Sequence, residues 1–297
     1  MKRPPRRTLR AQLLGCLLTV FAPAAAAEGE WLLDADAGVF YDSNLTRAQS
    51  QADVRADGAA VIAASAGSFF ALSGNDGLTA TLDARGEAYH RFHGLNLIGL
   101  GGTVAYRHKF GLGYTAPWLT LAGSAAYDAY QQNLRTGAHW AAWAEFGQRF
   151  NERCDGAIGG VLDRRYAQNG EPVVPGIPGK VFNLQGQSAY VRAGCSATDA
   201  LFLGARFSVR RGDVESTTRP HLDIFEASSA IAADPTFGND FFAYRLRGTT
   251  GTVTLTGSWA IDQRSSLNLV FSDERTRAYD SIGYRSYDFA FTYAYRY

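Results

Sequence analysis

The chain ends in the stretch "YDFAFTYAYRY" (287–297), in which every second residue is aromatic. Successive side chains of a β-strand point to opposite faces, so this pattern predicts a terminal strand with one aromatic face. That face carries Tyr287, Phe289, Phe291, Tyr293, Tyr295 and Tyr297. A single strand of this kind could pack against a second sheet or contact lipid, and the rest of the chain decides between the two.

The N-terminal segment has the features of a secretory signal peptide. Basic residues come first, an apolar stretch follows, and the segment closes on Ala25, Ala26 and Ala27. We therefore predict that residues 1–27 are removed and that residues 28–297 form the mature protein. The whole chain has 29 basic and 28 acidic residues, and this balance argues against a nucleic-acid partner.

Beyond residue 27, no apolar run approaches the roughly 18–20 residues that a membrane helix needs. Instead, apolar and polar residues alternate, as in "LTATLDARGEAYHRF" (78–92). Twelve such segments lie near 31–42, 58–72, 78–91, 97–110, 118–131, 137–150, 156–168, 180–194, 200–213, 241–260, 265–275 and 284–297. These features predict an all-β chain that forms a single antiparallel transmembrane β-barrel of about 12 strands.

The connections between these segments alternate between short turns and the longer loops 43–57, 169–179 and 214–240. An outer-membrane barrel has short periplasmic turns and longer extracellular loops, whereas a β-sandwich need not sort its loops. We therefore expect residues 214–240 outside the cell and residues 151–155 in the periplasm. Within the tenth segment, the apolar positions change face near Gly248 and Gly251, which predicts a β-bulge.

On these features the chain resembles Gram-negative outer-membrane β-barrel proteins, many of which end on an aromatic residue in the last strand. The resemblance implies that outer-membrane lipid and lipopolysaccharide surround the barrel. It also implies that the barrel-insertion machinery reads Phe289, Phe291, Tyr293, Tyr295 and Tyr297. The stretch "GVFYDSNLTRA" (38–48) is similar to the end of the first strand in putative β-barrel porins and in the barrel of surface lipoprotein assembly modifiers.

Charged residues on the inward faces of the predicted strands are the candidate pore lining. They are Asp34, Asp36, Asp83, Arg85, Arg107, Arg206, Arg210, Arg245, Arg247 and Asp288. Opposed rows of acids and bases would create a transverse field across a narrow pore, but the same charges could pair and plug the barrel. We expect a narrow porin for passive diffusion of small solutes. The alternatives are an export or assembly barrel for surface polysaccharide or lipoprotein, and a surface hydrolase.

The sequence offers little support for catalysis or metal binding. Outer-membrane phospholipases and lipid A deacylases resemble one another in a His-x-Ser arrangement, and no histidine here is followed by Ser two residues later. His221 and Asp223 resemble the His–Asp pair of outer-membrane proteases, or form a polar loop pair. Asp42, Asn44, Asp53 and Asp57 could bind a hard cation or form solvated surface. We expect no enzyme activity, no cofactor and no metal.

Cys154 and Cys195 have no metal-type spacing. A hairpin of the seventh and eighth strands would bring the two residues together at the periplasmic rim, where a disulfide is permitted. Strict alternation along each strand would instead point the two thiols to opposite faces, so a pair of free thiols remains the alternative.

Overall fold

The computed structural model describes residues 30–279 and 282–297, so the predicted signal peptide lies outside the described residues. The alternating segments form one antiparallel sheet. Its strands are β1 (Glu30–Asp42), β2 (Asp57–Ala71), β3 (Asp76–Tyr89), β4 (Leu97–Lys109), β5 (Trp118–Tyr130), β6 (Gly137–Arg149), β7 (Cys154–Ala167), β8 (Gln185–Ser196), β9 (Leu201–Thr218), β10 (Ala230–Ala233), β11 (Phe242–Ala260), β12 (Ser265–Ala278) and β13 (Gly283–Arg296). A short helix, α1 (Leu222–Ala227), precedes β10.

Twelve of these strands close into a barrel, because β13 pairs with β1 and β9 pairs with β11. Closure leaves no unpaired sheet edge, which is required where the backbone is surrounded by lipid. The seam between β1 and β13 extends from the pair Asp34–Arg296 to the pair Asp42–Asp288. The short strand β10 pairs only with the first residues of β11 and is not part of the wall. The predicted single antiparallel barrel is therefore confirmed.

The outer surface is apolar, as lipid contact requires. On β13, Phe289, Phe291 and Tyr293 are 43%, 42% and 43% exposed, so the aromatic face points out of the barrel rather than into a core. The same alternation exposes apolar side chains on the other strands, such as Ile98 and Leu255. Within the described residues, no helix is both long enough and apolar enough to cross a membrane.

The two ends of the barrel differ. One end carries the turns 72–75, 110–117, 150–153, 197–200 and 261–264, together with the first residue of β1 and the last residue of β13. The other end carries the connections 43–56, 90–96, 131–136, 168–184 and 219–241, together with Tyr279 and Ile282. Following the rule for outer-membrane barrels, we call the first the periplasmic end and the second the extracellular end.

Three details differ from the sequence-based expectation. Strand β8 starts at Gln185 rather than near residue 180, because Val181 and Phe182 are buried among the loops. Strand β9 continues to Thr218, and β10 lies within the predicted loop 214–240. The bulge predicted in β11 is wrong, since the register between β9 and β11 is unbroken from Phe242 to Trp259.

Candidate functional site

The register places eight of the ten predicted pore-lining residues on the inward faces of their strands. Asp34, Ser65 and Asp83 are register neighbours in one cross-strand row, and Arg206 lies between Arg192 and Thr254 in another. The eight residues are Asp34, Asp36, Asp83, Arg85, Arg107, Arg206, Arg210 and Asp288.

The prediction that Arg245 and Arg247 line the pore is wrong. Both lie on the face of β11 that also carries Val253, Leu255 and Trp259, which are exposed to the outside. Because β11 has no bulge, its inward side chains at this level are Tyr244 and Leu246, which are 2% and 1% exposed. The change of face in the sequence reflects an apolar core at the extracellular end, not a break in the pleat.

Several charges in the lumen form ion pairs with neighbouring strands. Arg85 on β3 contacts Asp128 on β5 at 2.7 Å, and Arg210 on β9 contacts Asp163 on β7 at 2.7 Å. At the rim, Arg296 contacts Asp34 at 2.7 Å. These pairs follow the wall rather than cross the lumen, so they neutralise charge locally without filling the passage.

Arg192 forms the most extensive of these pairs, and sequence analysis missed it. Its guanidinium contacts Glu145 at 2.7 Å and Asp155 at 2.8 Å. Tyr190 also donates a hydrogen bond to Glu145 at 2.9 Å. The three charged residues belong to β8, β6 and β7, and the alternation of their side chains was the only signal in the sequence that could have assigned them to the lumen.

Arg165, near the extracellular end, forms no ion pair with a described carboxylate and donates to the carbonyl oxygen of Arg135 at 2.7 Å. Three further lumen arginines also have no carboxylate within ion-pair distance among the described residues. Each guanidinium lies over an aromatic ring instead, which attracts a cation through its negative face. The pairs are Arg107 over Trp118 at 4.5 Å, Arg149 over Tyr114 at 4.6 Å and Arg206 over Tyr190 at 3.9 Å. These three residues lie on β4, β6 and β9, and Arg206 on β9 is the one farthest from β3.

The side of the lumen opposite Arg206 carries acids. Asp83 accepts hydrogen bonds from Ser65 at 2.7 Å and Thr103 at 3.1 Å, and neither Asp83 nor Asp36 forms an ion pair with a described residue. Strand β3, which carries Asp83, is six strands away from β9 in either direction around the barrel. Asp83 and Arg206 therefore lie on opposite walls, and the lumen has charges of opposite sign across it.

At the extracellular end, loops and strand ends pack together into what we call the cap (residues 43–56, 131–136, 168–184 and 213–247). The ends of β9 and β11, together with β10, rise into the cap and are covered on both faces. Val214, Ile231, Tyr244 and Leu246 pack with Ile224 and Ile282. A second cluster joins Ala230, Ala232 and Ala243 to Leu134, Ala167, Val181 and Phe182.

Two buried carboxylates hold the cap together. Asp234, which is 0% exposed, accepts hydrogen bonds from Arg135 at 2.6 and 3.2 Å. Burial alone would raise the pKa of Asp234, but the charge and hydrogen bonds of Arg135 outweigh it, so this pKa lies below its usual range. The Arg135 guanidinium also lies over Phe182 at 4.4 Å.

Asp53 from the first loop is the second buried carboxylate. It accepts hydrogen bonds from Thr218 and, at 2.9 Å, from Arg219, and it contacts His221 at 3.3 Å. Burial raises the pKa of Asp53, but these hydrogen bonds and the charge of Arg219 more than offset it, so the pKa is lowered. His221 thus contacts Asp53, rather than forming the pair with Asp223 that the sequence suggested.

The other oxygen-bearing residues of the first loop are also structural. Asp42 binds Arg47 at 2.7 Å, Asn44 donates to the carbonyl oxygens of Ala48 and Arg285, and Asp57 accepts from two backbone N–H groups. All three are buried, which excludes the solvated surface expected for them. In the part of the chain that the structure describes, no three His, Cys, Asp or Glu residues converge as metal ligands.

Cys154 and Cys195 are joined by a disulfide at the periplasmic end, with their Cα atoms 4.1 Å apart. They are directly paired in the register of β7 and β8 and lie on the same outward face. The alternative in which they point to opposite faces is wrong, because Gln185 and Gln187 share the outward face with Leu162.

No protein-family model matches the chain, and no curated protein matches it in sequence. In structure, the chain is similar to an outer-membrane channel from Pseudomonas putida F1, with a TM-score of 0.58 and 9% identity over 92% of this chain and 97% of that chain. The NanC porin follows with a TM-score of 0.48 and 6% identity over 89% and 98%. The toluene transporter TodX of Pseudomonas putida has a TM-score of 0.42 and 11% identity over 91% and 90%.

The first of these similarities shows that the chain has the fold of an outer-membrane channel. Together with the closed twelve-stranded barrel and its apolar outer surface, it identifies a multi-pass β-barrel protein of the Gram-negative outer membrane.

Proposed function

We propose that the protein is a narrow channel through which small solutes diffuse passively across the outer membrane. The observation that carries this proposal is that charges of opposite sign without an ion-pair partner among the described residues face each other across the lumen. Charges that served only to plug the barrel would pair with one another, whereas Arg206 on β9 is held over the ring of Tyr190 and Asp83 lies on β3, six strands away around the barrel.

A transverse field of this kind acts on a polar solute as it passes. Oppositely charged walls orient a dipolar or zwitterionic molecule and replace part of its hydration, while an apolar molecule gains nothing. The solutes we propose are therefore small and polar.

The cap is the second element of the proposed function. Its clusters and buried carboxylates pack over the extracellular end, and we propose that movement of the cap controls conduction. We place the gate of the channel there and assign the walls of the lumen to selectivity.

We propose a transport role rather than an enzymatic one. The His–Asp contact in the cap supports this assignment, because Asp53 already binds Thr218, Arg219 and His221 and lies 1% exposed among them. A catalytic base needs a free position toward its substrate, and this carboxylate has none.

Selectivity in a planar lipid bilayer tests the proposal. The Arg206→Gln variant should shift the anion-to-cation permeability ratio toward cations by up to about fivefold, because a unit charge near a passing ion contributes about 1 kcal/mol in water-like surroundings. Arg211→Gln is the matched control, since it removes the same charge from the outward face of the same strand.

The control should keep the selectivity of the unmodified protein. Equal shifts in both variants would contradict an assignment of Arg206 to the permeation path. If neither the unmodified protein nor a variant with a loosened cap conducted, the channel itself would be refuted.

A further inference from the structure

A cluster of arginines projects from the outer surface of the barrel at its extracellular end. On β7, β9 and β12 the outward side chains change from apolar to charged as the strands rise. On β7, Leu162 is followed on the same face by Arg164, and on β9, Val209 is followed by Arg211. On β12, Phe271 is followed on the same face by Asp273, Arg275 and Arg277. The charges therefore begin where the apolar belt ends, which is the level of lipid headgroups.

The centre of this cluster is a groove of about 790 Å³ on the outer wall. Leu162, Gln187, Arg211, Thr249 and Arg277 follow one another across neighbouring strands in a single row. Arg247 lies one outward position above Thr249, and Arg164 lies one outward position above Leu162. Four guanidinium groups thus surround one groove whose lower edge is apolar.

One carboxylate lies beside this cluster among the described residues: Asp213 faces Arg247 across β9 and β11 and accepts a hydrogen bond from the backbone N–H of Gln185 at 3.1 Å. Arg275 and Arg285 share Asp273, at 3.2 and 2.6 Å, and Arg245 donates to Ser229 at 3.0 Å. By contrast, Arg164, Arg211, Arg247 and Arg277 form no ion pair with any residue in 30–279 or 282–297. The four positive charges outnumber the single carboxylate of Asp213, so the cluster keeps a net positive charge that favours a bound anion.

The cluster occupies only one side of the barrel. On β1 to β5, the outward positions near the extracellular end carry Tyr41, Ala60, Gly86, Leu100 and Tyr127, all of them uncharged. A general preference for basic residues at the membrane surface would populate the whole circumference. The one-sided distribution indicates a local binding site.

We propose that Arg164, Arg211, Arg247 and Arg277 bind the phosphate groups of a phosphorylated glycolipid of the outer leaflet, the lipid A part of lipopolysaccharide. A guanidinium binds phosphate through two parallel hydrogen bonds, and basic clusters at membrane surfaces recognise anionic headgroups. The acyl chains lie against the apolar surface below, where Leu162 and Val209 are exposed. This site is on the outside of the barrel and is independent of the channel.

The test measures binding of bis-phosphorylated lipid A to the detergent-solubilised full chain by native mass spectrometry. The variant Arg211→Gln with Arg277→Gln should bind about a hundredfold more weakly, because each of the two lost charged contacts costs about one order of magnitude. The control, Arg153→Gln with Arg264→Gln, loses the same charge from exposed turns at the periplasmic end.

Three outcomes would overturn the proposal. One is equal loss of binding in both double variants. Another is full binding of lipid A whose phosphates have been removed. The third is complete displacement of lipid A by millimolar inorganic phosphate, which would mean that the groove recognises the free anion. Arg211→Lys with Arg277→Lys, which keeps the charge and the fold, should bind with an affinity between those of the unmodified protein and the Gln variant.

Discussion

At the scale of single residues, the pair formed by Arg135 and Asp234 does most to explain the packing of the cap. Arg135 lies in the connection between β5 and β6, and Asp234 directly follows β10, so the contact ties one side of the barrel to the extension of β9 and β11. A buried ion pair adds little net stability, but removal of one partner leaves an uncompensated charge. The pair therefore contributes more to the position of the cap than to the stability of the protein.

Replacing Arg135 should open the cap. Arg135→Met leaves the Asp234 carboxylate buried and unpaired, at a cost of about 3–5 kcal/mol. We expect a higher open probability in single-channel recordings and faster proteolysis within residues 219–241. The double variant Arg135→Met with Asp234→Leu removes both charges and should restore most of the closed state, so similar behaviour of the single and double variants would contradict this role.

Strongly acidic pH should also open the cap, in this case in the unmodified protein. Asp53 and Asp234 both have lowered pKa values in the closed cap. Their contribution is complete above the ordinary Asp pKa of about 3.9 and is lost as the pH falls through the lower value of the closed state. Open probability should thus be constant near neutral pH and rise only at strongly acidic pH.

At the scale of elements, the sequence predicts strands whose side chains point alternately to lipid and to the lumen. It does not predict the segments that pack into the cap. Strand β13 and strand β3 follow the period of two because each of their faces meets one medium. Residues 180–184 fall within the predicted segment 180–194, but Val181 and Phe182 pack into the cap. The apolar residues of β10 were missed because four residues are too few to show a period.

The same reasoning explains which site residues were found. Asp83 and Arg206 alternate with exposed apolar neighbours, so their inward direction could be derived. Asp53 and Asp234 look like ordinary polar loop residues, and only the folded loops show that they are buried against Thr218 and Arg135. Arg247 was misassigned because apolar residues on its strand face a protein core at one end and lipid at the other.

Closure of the barrel depends on a close approach between β1 and β13. A Cβ atom added to Gly38 would overlap the carbonyl oxygen of Phe291 and lie 2.7 Å from the Cα of Thr292. Both are backbone atoms of the closing seam, so they cannot move aside without breaking pairing. Gly38→Ala should lower the free energy of unfolding by about 1–3 kcal/mol, the usual cost of overpacking.

Gly251→Ala is the matched control, because nothing lies within 4 Å of the corresponding added atom. It should be neutral or slightly stabilising. Urea unfolding in detergent micelles, followed by heat-modifiable electrophoretic mobility, measures both variants. Equal midpoints would show that the seam adjusts more easily than its geometry indicates.

At the scale of the whole molecule, the two ends of the barrel have different roles. The periplasmic end carries short turns and the disulfide between Cys154 and Cys195. The opposite end carries the cap, the buried carboxylates and the outward arginines. The gate and the lipid-phosphate site are both proposed at this end. The lipid-phosphate site requires that this end meets the outer leaflet, and the gate is placed where this end meets the external medium. Both proposals therefore assume the same orientation of the barrel.

Cysteine labelling on intact cells tests that orientation. Glu171→Cys places a thiol in the exposed part of loop 168–184, and Glu152→Cys places one in the turn between β6 and β7, where Glu152 is also exposed. Cys154 and Cys195 are joined in the disulfide and will not react, and Cys16 lies in the predicted signal peptide. A membrane-impermeant maleimide should label the Glu171→Cys variant on intact cells and the Glu152→Cys variant only after the outer membrane is permeabilised. The reverse labelling pattern would mean that the barrel has the opposite orientation. The arginine cluster would then lie at the inner leaflet, which would exclude lipid A as its ligand. The charges of the lumen would be unchanged.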